Sequence, residues 1–278
     1  MSFSCKDIAM EFLQVNGCAL IILNRELRND FVVVRAAVKQ NGLALQSASI
    51  ELRQNRQIVL EAVQQNGRAL IFAATELRSD SELAMIAVRQ NIQALKLAPK
   101  EVVMQIMQED GMALQFASAT HCSDRDIVTE AINQSGMALQ FASTMWSDCR
   151  EVVLQAVRQD GVALQFASYQ LRNDREIVSH AVALNGHSLQ FTELSGDQEL
   201  VLVAVRQNGM ALQFASSELR GRREVAMEAV TQNGMALEFA ADELRNDREI
   251  VWAAVAQNGH AWRVASPTFL DDVLRLLL

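Results

Sequence analysis

SDCREVVLQAVRQDGVALQFASYQL, Ser147 to Leu171, decides the fold, because nearly the whole 278-residue chain can be laid over it in register. With Gly161 of that stretch as a marker, equivalent positions fall at Gly17, Gly42, Gly67, Ile92, Gly111, Gly136, Gly161, Gly186, Gly209, Gly234 and Gly259, which makes eleven copies. The spacing is 25 residues except for 19 between Ile92 and Gly111 and 23 between Gly186 and Gly209. A period in this range is the signature of a repeat array rather than of a single globular core.

Within a copy, the residues before the marker have helical spacing, as in Val152, Val153, Ala156 and Val157, and predict a helix A. Thirteen residues before the marker stands a residue such as Ser4, Asn29, Ser79 or Asn173, commonly followed three positions on by an acid such as Glu176, which predicts a capping box. The marker glycine is expected to end helix A in a left-handed conformation. After it, Ala163, Leu164, Ala167 and Leu171 predict a shorter helix B. One such pair cannot bury its own apolar face, so the copies must stack. The expected fold is an all-α solenoid of about eleven stacked helix-turn-helix repeats, a single elongated array over 1–278, with Ala and Phe columns alternating in the core.

Copy four departs from the pattern. Ile92 replaces the glycine, and six residues are missing around ALKLAPKEV, 94–102, which predicts a kink or a shortened packing layer between about Asn91 and Val103. In copy two, Ser47 stands where Phe is usual, a local loss of core volume. The C-terminal SPTFLDDVLRLLL resembles the start of another helix A, with Thr268 as its cap. Phe269 to Leu278 then either folds back, continues into a longer array or forms an interface.

The blocks LRNDREIV and NGxALQFAS, as in Leu171 to Phe191 and Leu244 to Ala265, recur through the chain. In these blocks the chain resembles the DUF4116 repeats, a family of domains of unknown function, over nearly its whole length. The resemblance implies no activity, so it brings no catalytic residue with it.

A net charge of −8 and a pI near 5.1 argue against a nucleic-acid surface, which needs clustered Lys and Arg. Cys5, Cys18, Cys122 and Cys149 lie without metal-site spacing, and the start MSFSCKDIAMEF lacks a basic region followed by an apolar one. No apolar run approaches a membrane span. The expectation is an intracellular, cytoplasmic protein without metal or cofactor. No nucleophile elbow, zinc-protease or phosphate-loop motif occurs, so the chain is read as non-enzymatic. The helix B glutamines, Gln115, Gln140, Gln165, Gln190 and Gln213, are expected either to form a ladder between copies or to be solvated.

One face of helix A varies while the core columns stay fixed. The columns seven, six and three residues before the marker, with the acidic column, fall at i, i+3, i+4 and i+7. Arg35, Leu60, Met85, Met104, Leu154, His180, Leu202, Met227 and Trp252 lie in them and form the candidate partner-binding face. Large apolar residues beside acids, repeated along an array, suit an extended protein or peptide partner. The alternative is that these residues only cover part of the neighbouring copy. The chain would then be a structural spacer, or a piece of a longer array that self-associates through its uncapped ends.

Overall fold

The computed structural model describes residues 5–267, which are all-α with no strand among them. Ser4, Thr268 and the segment Phe269 to Leu278, to which caps and an end role were assigned above, lie outside the described residues. The chain divides into two compact units, Met1–Ala131 and Ile132–Leu278, and within each the copies stack as an α-solenoid.

Most copies contain three helical pieces rather than two. In copy three these are a long α-helix Arg56–Gln65, a 3₁₀ helix Gly67–Phe72 and a short α-helix Thr75–Arg78. The expected helix B is thus split. Asn66 before the glycine is extended, at φ −152° and ψ 110°, and its side chain accepts from the Arg68 N–H at 3.0 Å, which starts the 3₁₀ turn.

Four columns of the long helix are fully enclosed, as in Val33, Val34, Ala37 and Val38 or Ile58, Val59, Ala62 and Val63. They meet the Ala and Leu columns of the 3₁₀ turn, such as Ala69 and Leu70. Each fully buried Val, Leu or Ile contributes roughly 1.5–3 kcal/mol, so these columns dominate cohesion. The Phe column does not fill the space between layers as expected. Phe72, Phe116, Phe166 and Phe214 are half-buried at the rim, because the leucine two positions earlier takes the inward place.

The marker glycine serves a different purpose from the one expected. Among the described residues none, glycine included, has positive φ. A Cβ on Gly42 would instead come closer than 3.0 Å to the Ala62 carbonyl oxygen of the next copy, and Gly17, Gly67, Gly209 and Gly234 stand against Ala37, Ala87, Ala229 and Ala254 in the same way. Glycine is required because a neighbouring backbone passes there, not because of its own dihedrals.

A glutamine from that neighbour closes the junction. Gln65 Oε1 accepts from the Gly42 N–H at 2.5 Å, and its Nε2 donates to the Gln40 carbonyl at 3.4 Å. Gln40, Gln90, Gln207, Gln232 and Gln257 repeat the clip on Gly17, Gly67, Gly186, Gly209 and Gly234. One amide thereby satisfies a turn N–H and a helix-end carbonyl that would otherwise be orphaned. The helix B glutamines form no such ladder. Gln115, Gln140, Gln165 and Gln213 donate to carbonyls three residues back in their own turns.

The long-helix cap lies one residue later than the capping-box reading placed it. Asp30, Asp80, Asp174, Asp197 and Asp247 accept from the second and third N–H groups of the following helix. The first helical residue is often basic and reaches the next copy's cap and acid. Arg56 meets Asp80 at 3.2 Å and Glu82 at 2.5 Å, and Lys100 meets Asp124 at 2.8 Å and Asp126 at 2.7 Å. In the second unit Arg150, Arg175 and Arg223 do the same with Asp174, Asp197 and Asp247. Lys6, Lys100 and Arg175 hold the carboxyls of Asp30, Asp124 and Asp197 below their usual range.

Copy four keeps its layer. The 3₁₀ helix Ile92–Leu97 and the long helix Lys100–Glu109 are both formed, with Pro99 at the helix start. The six missing residues correspond to Thr75–Arg78 and the cap that follows it in copy three, so the short helix is lost and the stacked pieces remain.

Candidate functional site

The geometry of the long helix sorts the variable columns and the acidic column beside them into two kinds. Residues ten and three before the marker, such as Glu151 and Arg158, point away from the stack and are exposed. Residues seven and six before it sit beside the fully buried columns and most are half-buried, Glu11 and Gln105 being exposed. Arg35, Leu60, Met85, Met104, Leu154, His180, Leu202 and Met227 are all of this kind. Trp252 is more open, at 54% exposure. The columns therefore form neither a bare strip nor a sealed interior.

Part of this face is polar and paired between copies. Arg35 Nε donates to Glu61 at 2.7 and 3.0 Å, and Lys39 approaches the same carboxylate at 3.9 Å. Arg206 pairs with Glu228 at 3.0 Å, while Gln155 donates to Asn133. In these places a variable residue in one copy is answered by a variable residue in the next. Arg35, expected to face a partner, spends its guanidinium on its neighbour.

Glu151, Leu154, Gln155, Arg158 and Gln159, all from the helix Arg150–Gln159, line a shallow depression of about 420 Å³. Three of these five, Leu154, Gln155 and Arg158, belong to the variable columns, and Glu151 to the acidic column on the same face. The depression offers an apolar centre, Leu154, with a carboxylate, a guanidinium and two amides around it. That set binds a chain through apolar contact and hydrogen bonds but contains no nucleophile paired with a base.

Chemistry elsewhere is sparse. Among the described residues no group of three or more metal-ligating side chains comes together, and no helix is long and apolar enough to cross a membrane. Burial lowers the His121 pKa and raises that of the neighbouring Cys122 thiol.

The inter-copy ladder and the glutamine clip were missed in the sequence. Their signal was present: a basic residue followed 24 and 26 positions later by acids, and a glutamine two positions before the marker.

A family model described as a domain of unknown function, DUF4116, matches residues 5–53, 55–102, 100–146, 149–193, 192–220 and 222–270. No curated protein and no solved structure matches the chain. With six matches covering most of its length, the chain belongs to the DUF4116 family.

Proposed function

We propose that this DUF4116 chain is a non-enzymatic scaffold that binds an extended protein or peptide along the variable face of its long helices. The observation that carries the reading is the depression on Arg150–Gln159, whose lining is drawn mainly from the columns that change between copies. The fixed columns hold the stack, so the varying ends are free to set specificity. Contacts at successive copies add through effective concentration, and each alone can be weak.

The test selects peptides from a display library on the purified chain and measures their binding to Leu154→Glu and to Met227→Glu combined with Trp252→Glu. Selected peptides should lose about tenfold or more in affinity on at least one variant, the loss of a central apolar anchor. Peptides that bind both variants as tightly as the parent would place the site elsewhere.

A second reading is favoured by one observation. In the first copy Phe12 occupies the column that is Ala37, Ala62 and Ala87 in later copies, and it is 61% exposed beside Val15. That apolar end supports a spacer that self-associates there. Sedimentation should then show a concentration-dependent oligomer that Phe12→Glu dissociates, and a monomer at every concentration would rule it out.

A further inference from the structure

Ser47 is the one residue of the Phe column that is small and polar. Seven copies carry Phe there, at positions 72, 116, 141, 166, 191, 214 and 239. Where the ring is missing, a cleft of about 220 Å³ opens between copies one and two. Its walls come from the short helix Arg25–Arg28 and from the short helix Ile50–Arg53 with the turn before it. None of its lining residues belongs to the long helices, so the cleft is independent of the variable face.

Its charges are unusual for this chain. Nearly every long-helix Arg and Lys at a copy junction is paired with an acid, and the protein as a whole is acidic. Arg25, Arg28 and Arg53, by contrast, make no salt bridge or side-chain hydrogen bond among the described residues, and the Nε atoms of Arg28 and Arg53 are buried without a partner. A buried guanidinium N–H left unpaired is costly, and an anion would satisfy it. Ser47 is half-buried at the cleft, and its hydroxyl too has no protein partner among the described residues. Ser49 is already committed, donating to Asn29 and capping Leu52. Glu51 is the single acid in the lining, so three arginines less one glutamate leave two positive charges.

We propose that this cleft binds a phosphate monoester dianion, with Arg28 and Arg53 as the clamp, Arg25 at the mouth and Ser47 donating its hydroxyl. Two net positive charges match a phosphate monoester near neutral pH, and the many N–H groups suit three terminal oxygens better than the two of a carboxylate. The anion is carried either by a free small molecule or by a phosphorylated side chain. The same chemistry recognises both.

The column supplies its own control. Arg172 and Arg220 occupy the equivalent register and also have a buried, unpaired Nε, but Phe166 and Phe214 stand where Ser47 does. The experiment follows arginine Nε–H resonances while inorganic phosphate replaces chloride at constant ionic strength. Arg28 and Arg53 should shift together and saturate, and Arg172 and Arg220 should not. Ser47→Phe, which installs the residue the other copies tolerate, should weaken phosphate about tenfold or more, the effect of losing charge-assisted hydrogen bonds. Arg53→Gln with an unchanged circular dichroism spectrum should do the same. A weak response shared by all four arginines, or undiminished binding by both variants, overturns the site. Given saturation by phosphate, glycerol 3-phosphate and a phosphoserine peptide then show which source fits, the tighter of the two identifying the carrier.

Discussion

The junctions at Gly67 and at Ile92 have the same backbone and opposite chemistry. Asn66 and Asn91, which open the two turns, share φ −152° and ψ 110°, and both turns run for six residues. At Gly67 a Cβ would run into the Ala87 carbonyl, and Gln90 accepts from the Gly67 N–H at 2.6 Å. At Ile92 the next copy has Ile106 in place of that alanine and Glu109 in place of the glutamine. All three members of the junction change together while the dihedrals stay. The turn itself does not demand glycine; a tight neighbour does, and where the short helix is deleted that neighbour is different.

The comparison breaks most visibly by adding volume. Gly42→Val should cost about 3 kcal/mol or more, because the obstructing atom is a backbone carbonyl that cannot rotate away. Ile92→Gly should cost only about 1 kcal/mol, from chain entropy and lost contact. Urea denaturation of the two variants checks the contrast. Next in size is the clip. Gln65→Met leaves the buried Gly42 N–H unpaired and should cost about 2 kcal/mol. Glu109→Met, at the junction without a clip, should stay within about 0.5 kcal/mol.

A smaller effect has the opposite sign. Ser188 replaces alanine in a sealed column, and its hydroxyl has no partner, so Ser188→Ala should raise stability by about 1 kcal/mol in the same assay. Smallest per site is the acid ladder. Asp30, Asp124 and Asp197 have folded pKa values below the unfolded one, so the unfolded chain binds more protons in acid. Their contribution is present above the unfolded carboxyl value of about 4 and is lost as pH falls through the folded values. Each pair is exposed and screened by solvent, so its contribution is small. The unfolding midpoint should therefore hold from neutral pH down to mild acid and fall below it, and Lys100→Ala should flatten that fall.

The sequence made the repeat legible because its information is one-dimensional: an apolar period within each helix and a marker every 25 residues. The all-α solenoid followed from that period, and the resemblance to the family from the recurring LRNDREIV and NGxALQFAS blocks. What was not legible depends on which atoms of consecutive copies touch. Asn29 and Asp30 are both good caps, and only the path of the chain shows that Asp30 has the position from which it caps its helix and meets Lys6. The Phe column looked like core because Phe is apolar, but Leu70 and its equivalents occupy the inward direction. The variable columns share one side of the long helix by spacing alone, but their half-burial, and the use of Arg35 on Glu61, depend on the neighbouring copy.

The most direct measurement of the central claim, that the marker glycine answers to its neighbour rather than to its own backbone, compares Gly67→Ala with Gly259→Ala. Gly259 holds the same place after its own extended asparagine, but among the described residues nothing lies within 4 Å of where its Cβ would go. Gly67→Ala should lower the unfolding midpoint in urea clearly, and Gly259→Ala should leave it unchanged or slightly raised. Equal losses at the two positions would contradict the claim and return the glycine to a purely local role.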